Sequence, residues 1–205
     1  DNGFQVFLIA QETNFSLKKG LDDLNQSFDW KFDASQTAAI LKIIQVDTTP
    51  ENKILKQLYS LNQDNVPNLG SLSSELELAR LIKLSHICIY VLSADEIVGF
   101  MVCFRELSEY HSLNYKYFNE REDKFMYVDR IAIKEGHANK GLGSGLYEKL
   151  YKLSALEQLP ICCEVNTKPI NQVSLNFHYK NGFEPVGEYD FDDHSVAYLK
   201  KENHF

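Results

Sequence analysis

The stretch Phe125–Leu150, FMYVDRIAIKEGHANKGLGSGLYEKL, restricts the fold more tightly than any other part of the chain. A strand-like run, Phe125–Ile133, leads through a short turn into glycines at 141, 143 and 145. A helical pattern follows, with Leu142, Leu146, Leu150 and Leu153 on one stripe and Glu148, Lys149 and Lys152 off it. A helix that opens on glycines leaves backbone N–H groups without intrahelical partners, at the positive end of its dipole, where a phosphate is stabilised. Glycine removes the Cβ that would keep a ligand from the backbone. The stretch therefore predicts a strand–turn–helix element that binds an anion.

Spacing narrows the choice of anion site. A Walker loop needs G-x-x-x-x-G-K-[ST], which does not occur in this sequence. A dinucleotide fingerprint needs G-x-G-x-x-G in the first strand–helix unit; here the run is Gly141-x-Gly143-x-Gly145, two thirds of the way along, preceded by Lys140. Neither pattern fits.

The 205 residues are enough to bury a core, and the 44% hydrophobic, 24% charged composition is that of an ordinary globular protein. No apolar run approaches the roughly 20 residues of a membrane span, and Phe4–Ala10 lacks the basic flank and length of a secretory signal. A cytoplasmic protein is expected. The net charge of −8 argues against nucleic acid or an anionic membrane as partner. It leaves room for an anionic cofactor, because helix-start amides act locally, and it favours a neutral or cationic acceptor such as an amine. Cys88, Cys103, Cys162 and Cys163 show no C-x-x-C spacing for zinc and no disulfide framework, so they are expected to be reduced and buried, and no metal is expected. A catalytic thiol at Cys162 or Cys163 is the alternative.

Along the chain, residues 1–38 read as an N-terminal extension: a strand near Phe4–Ala10, a helix over Leu17–Phe28 and an extended piece at Trp30–Phe32. Residues 39–205 carry the regular pattern. It starts with a strand at Ile40–Val46 and a helix opening at Thr49-Pro50 and running to Asn62 with Ile54, Leu55, Leu58 and Leu61 inward. A second helix begins at Ser73 or Ser74 with Leu76, Ala79, Leu81 and Leu84 inward, and a hairpin pairs Ile87–Leu92 with Ile97–Arg105. Glu106–Lys124 is a long connection rich in aromatics, either an acceptor-binding loop carrying Tyr115 and Tyr117 or a short helix that buries Tyr117 and Phe118. A strand at Pro160–Val165, a helix at Ser174–Lys180 stopped by Asn181-Gly182, and a hairpin of Phe183–Asp190 with Ser195–Lys200 complete the pattern. The interleaving predicts a mixed α/β (α+β) fold. The last hairpin and the extension are candidate surfaces for a homodimer.

The loop at Gly141 and Gly143 resembles the acetyl-CoA-binding loop [Q/R]-x-x-G-x-[G/A] of the GNAT (GCN5-related N-acetyltransferase) superfamily, with Ala138 where Gln or Arg is usual. One strand later, Asn171 to Phe183 (NQVSLNFHYKNGF) resembles that family's N-x-x-[AS]-x-x-[FL]-Y-x-x-x-G-F signature at full length. The runs Tyr127–Arg130 and Cys163–Asn166 are similar to a bacterial subgroup of the same superfamily. The resemblance covers about residues 40–200 and implies the acyl-CoA N-acyltransferase fold, a mixed and mostly antiparallel sheet flanked by helices. It implies acetyl-CoA as cofactor. Backbone at Ile131, Ala132 and Ile133 would pair with pantetheine, and the loop Ala138, Asn139, Lys140, Gly141, Leu142, Gly143 and Ser144 would hold the pyrophosphate. Asn171, with Ser174 and Phe177 on the same signature, would line the pantetheine arm. Lys140 is either a phosphate ligand or a solvated surface lysine.

The resemblance also implies direct transfer of an acetyl group to a primary amine of a small molecule or peptide. The family's thiolate acid, a Tyr four residues before the signature glycine, is replaced here by His178, with Tyr179 one position on. His178 is either that acid or a packing residue that leaves the thiolate to solvent. Tyr127 and Asp129 share a strand face, and Asp129 or Glu164 is the candidate base; each is alternatively a partner of Arg130. A CoA-binding module without turnover, regulatory or structural in role, is the alternative reading, and nucleotide binding is a third.

Overall fold

The computed structural model describes residues 7–8, 39–45, 50–93 and 95–203. The expected helix at Leu17–Phe28 and the extended piece at Trp30–Phe32 lie outside them. The elements, in chain order, are β1 (Phe7–Leu8), β2 (Ala39–Gln45), α1 (Asn52–Gln63), α2 (Glu75–Leu84), β3 (Ile87–Ser93), β4 (Glu96–Arg105), α3 (Leu113–Asn119), β5 (Met126–Ile133), α4 (Leu142–Ala155), β6 (Ile161–Lys168), α5 (Gln172–Lys180), β7 (Glu184–Asp190) and β8 (Ser195–Lys201). The fold is mixed α/β, its sheet mostly antiparallel. Among the described residues no helix is long and apolar enough to cross a membrane. Two compact units account for the chain: residues 1–102 with 130–148, and residues 103–129 with 149–205. β4, β5 and α4 contribute residues to both.

In the first unit the strands neighbour one another in the order β1-β2-β3-β4-β5. β1 lies parallel to β2 (Phe7 opposite Lys42), and β2 runs antiparallel to β3 from Ala39 opposite Ser93 to Gln45 opposite Ile87. The core includes Leu58 of α1, Leu78 of α2, Ile89 of β3, Phe100 of β4 and Leu146 of α4, all buried. The helix expected from Thr49-Pro50 begins two residues later, with Glu51 at its cap position and no side chain accepting there. On α2 the buried stripe is Leu78, Leu81 and Ile82; Leu76 and Leu84 point outward at 60% and 40% exposure. Of the expected stripe Leu81 is buried, whereas Leu76 and Leu84 are replaced by Leu78 and Ile82; Leu78 stands three residues before Leu81 and four before Ile82, on one helix face. Arg130 is also buried, donating to Asn62 Oδ1 at 2.7 Å. Its guanidinium reaches α1, away from the face that carries Asp129, as alternation along a strand requires.

In the second unit the order is β5-β6-β8-β7. β6 and β8 are antiparallel, as are β8 and β7. β5 and β6 are parallel, with Met126, Tyr127 and Val128 opposite Ile161, Cys162 and Cys163. Both strands run on past that last pair. The core holds Phe104, Phe118, Phe125, Tyr127, Leu150 and Leu199. Glu106–Lys124 is not an open loop throughout: α3 forms within it, capped by Ser112, whose hydroxyl accepts from the Tyr115 N–H. Lys149, expected off the stripe of α4, is 1% exposed, and burial lowers its pKa to about 8. Its long aliphatic stem packs where a shorter charged side chain would not.

Candidate active site

β5 delivers the loop that follows it. Lys134 N–H donates to Val98 O at 2.9 Å, and the chain then turns through Gly136 and Asn139, both at positive φ, into Gly141 at φ 79°. Only glycine adopts that last conformation without strain. α4 then starts at Leu142 and runs 14 residues with no acidic side chain in its first turn. Ala138, Asn139, Lys140, Gly141 and Ser144 are exposed, and Leu142 is buried beneath them. Among the described residues, nothing beyond its chain neighbours and the helix's own backbone comes within 4 Å of a Cβ built on Gly143. An exposed turn, a helix start free of carboxylates and open room over Gly143 fit a diphosphate. Ala132 is buried, Ile131 and Ile133 are partly exposed, and Ala132 O and Ile133 lie against Gly99 of β4, where a Cβ would collide.

A second group of residues gathers in the other unit, where β5 and β6 stop pairing. Asp129 and Glu164 are the first residues past Val128 and Cys163, the last matched pair. The Tyr127 hydroxyl donates to Glu164 Oε2 at 2.6 Å, and the Tyr110 hydroxyl donates to Asp129 Oδ1 at 2.5 Å. Tyr110 is placed by stacking on Phe104, with centroids 4.2 Å apart and planes 8° from parallel. Glu164 also bonds the Asn114 side chain, whose Oδ1 accepts from the Tyr198 hydroxyl at 3.1 Å. Burial pushes the Glu164 carboxyl up to about 8, helped by the charge of Asp129, while bonds from Tyr127, its own backbone N–H and Asn114 oppose the rise. Burial, with the charge of Glu164 adding to it, holds the Tyr127 phenol well above its ordinary value, so it stays a donor. The site thus contains a carboxyl that changes charge near neutral pH, the property a general base needs.

The other expected residues are placed as follows. Asn171 caps α5, its side chain accepting from the Ser174 N–H at 3.1 Å, so the helix starts at Gln172 and not at Ser174. His178 is 3% exposed, set edge-on between Phe177 and Phe183. Its Nδ1 lies 2.7 Å from Ser174 O, and because a carbonyl only accepts, Nδ1 carries the ring proton. Burial lowers the His178 pKa, and the Ser174 carbonyl opposes this. The ring is neutral at pH 7, and its one proton is committed to the backbone. That state does not suit a thiolate acid. Tyr179, the neighbour, is 46% exposed. Tyr115 is buried, its hydroxyl donating to Arg105 O at 2.7 Å and accepting from the Ser108 N–H at 2.8 Å. Tyr117 stacks on Tyr198 with centroids 3.8 Å apart, and its hydroxyl donates to Val186 O at 2.6 Å. Both rings are therefore engaged by the protein. Cys162 and Cys163 are buried, and burial raises the Cys162 thiol well above its usual value, which leaves it unreactive.

Asn114, Tyr110 and Tyr198 escaped the sequence reading, because no motif contains them and their roles depend on tertiary contacts. The aromatic density of Glu106–Lys124 was the one available signal.

Residues 55–183 match the Acetyltransferase (GNAT) family, and the chain belongs to it. No curated protein matches the chain. Among solved structures, Naa50 of Arabidopsis thaliana, in complex with the bisubstrate analogue CoA-Ac-MVNAL, is 18% identical with a TM-score of 0.57, covering 79% of this chain and 98% of that one. The ribosomal-protein-S18-alanine N-acetyltransferase of Escherichia coli is 14% identical with a TM-score of 0.55, over 80% and 95% of the two chains. Ard1 of Thermoplasma volcanium is 17% identical with a TM-score of 0.59, over 79% and 97%. At these identities the likeness is one of fold.

Proposed function

We propose that the protein is an acetyl-CoA-dependent N-acetyltransferase that acts on a primary amine of a small molecule or peptide, with Glu164 as general base. The observation that carries the reading is Glu164 itself. A carboxyl pushed up to about 8 stands immediately past the paired segment of β5 and β6, fixed by Tyr127 and Asn114 and facing the charge of Asp129. Family membership supports acyl transfer. The loop from Ala138 to Ser144 and the start of α4 hold the diphosphate, with Gly143 leaving the room it needs. Ile131, Ala132 and Ile133 offer strand backbone to the pantetheine amides. Acetyl-CoA supplies the activated acyl group when bound.

Glu164 takes the proton of the acceptor ammonium, freeing the lone pair that attacks the thioester carbonyl. With acetyl-CoA bound, the carbon–sulfur bond would break as the carbon–nitrogen bond forms, and the second proton of the nitrogen would leave to solvent. His178 packs α5 against Phe183 and does not donate to the thiolate, which takes its proton from solvent. Asp129, held by Tyr110, stands beside the base, where a second carboxylate favours a cationic acceptor.

Thiol release from acetyl-CoA with a panel of amines tests this. Glu164→Gln is expected to lower kcat/KM by about 10²–10⁴-fold. In the unaltered enzyme kcat/KM is expected to climb with pH through about 8, the ionisation of Glu164, at the same midpoint for acceptors of different amine basicity. Undiminished turnover in the Gln variant would remove Glu164 as base. The neutral, committed His178 also keeps a second reading in play, a CoA-binding module without turnover. CoA binding with no thiol release from any amine would establish that reading instead.

A further inference from the structure

Asn114 belongs to no motif, yet its amide is fixed from both ends. A carboxylate only accepts, so Nδ2 faces Glu164, and the Tyr198 hydroxyl donating to Oδ1 at 3.1 Å holds the amide in that sense. The helix that carries Asn114 is itself anchored to the same tyrosine. Tyr117 stacks on Tyr198, with planes 15° apart, and Phe118 meets that ring edge-on at 5.5 Å. Without Asn114, Glu164 would keep the Tyr127 hydroxyl on Oε2 and its own backbone N–H, but would lose its bond to α3.

We propose that Asn114 is a positioning residue for Glu164: its amide, locked by the Tyr198 hydroxyl, holds the carboxylate in the single orientation from which it takes the acceptor's proton. The inference rests on the reading of Glu164 as general base. The groups that face Glu164 are Tyr127 and Asp129 from β5, with Tyr110 behind Asp129, Asn114 from α3 and Tyr198 from β8; Tyr117 and Arg121 act in turn on Tyr198. Asp129 favours the protonated carboxyl, and Asn114 favours the ionised one.

The test is a carbon-13 carboxyl NMR titration of Glu164, with a kcat/KM–pH profile, in Asn114→Ala and Tyr198→Phe. In Asn114→Ala the loss of one hydrogen bond to the ionised form is expected to raise the midpoint by about one unit. That shift lowers kcat/KM at pH 7 by about tenfold, recovered when the pH is raised above the new midpoint. Tyr198→Phe keeps the stack on Tyr117 and is expected to shift both readouts in the same direction by less. A folded Asn114→Ala whose titration is unmoved overturns the proposal, and where that variant does not fold, an unmoved Tyr198→Phe does so. Glu164→Gln separates the two ideas. If it retains full turnover, the base reading and this inference fall together; if it is inactive while the titration is unmoved, the inference alone fails.

Discussion

Gly143 joins function to stability within a single residue. It lies in the first turn of α4, where alanine is the better helix former by about 0.5–1 kcal/mol, and among the described residues a Cβ there meets nothing beyond its chain neighbours and the helix's own backbone within 4 Å. Gly143→Ala is therefore expected to raise resistance to chemical denaturation while weakening CoA binding roughly tenfold, about 1.4 kcal/mol, read by calorimetry. Opposite signs from one methyl group would mean that the room above the residue serves a ligand. Gains in both quantities would contradict the cradle. The carboxylates show the limits of reading residues one by one. In the sequence Asp129 is the natural candidate and Glu164 the competing one, and strand alternation says only that Asp129 shares a face with Tyr127. What separates them is the neighbourhood of Glu164, a property of folded surroundings that one-dimensional spacing does not contain.

Among the elements, the start of α2 and the end of α5 were the most legible. α2 begins after Ser74, whose hydroxyl accepts from the Glu77 N–H at 3.2 Å, while Glu77 reaches back to the Ser73 N–H at 2.5 Å. This is a variant of the reciprocal arrangement that a Ser followed three residues later by Glu favours, with Glu77 reaching one residue beyond the cap, to the N–H and hydroxyl of Ser73. Ser74→Ala is expected to cost about 1 kcal/mol, measured by urea titration; an unchanged midpoint would mean that Glu77 alone holds the helix start. α5 ends as its sequence suggests, with Gly182 at φ 82° and the Phe183 N–H donating to His178 O at 3.1 Å. α3 was only one of two options, since seven helical residues inside a long aromatic connection carry too few turns for periodicity to decide. Its helix is held by Tyr115 and Phe118 in the core, and both contacts are tertiary.

For the whole molecule, pH sets one more expectation. His178 is buried with a pKa below its ordinary 6.5, whereas the unfolded chain titrates it normally. Below pH 6.5 the unfolded state binds a proton that the folded state declines, so its contribution to stability falls from there down through the folded-state value and levels off beyond it. Glu164, at about 8 in the folded protein, adds an opposite slope common to the unaltered protein and His178→Gln, so the unfolding free energy at pH 5.5 relative to pH 7.5 is expected to be higher in the variant. An equal change in both would assign the acid sensitivity to other groups. The sequence alone determined the order of strands and helices other than α3, the glycine turn after β5 and the cap at Ser74, because each is encoded by residues within a few positions of one another. The tertiary structure decided which leucines of α2 face inward, that Lys149 is buried, that His178 is neutral, and that Asn114 and Tyr198 flank Glu164. Those outcomes follow from side chains brought together across tens of residues, where burial and neighbouring charge set the chemistry.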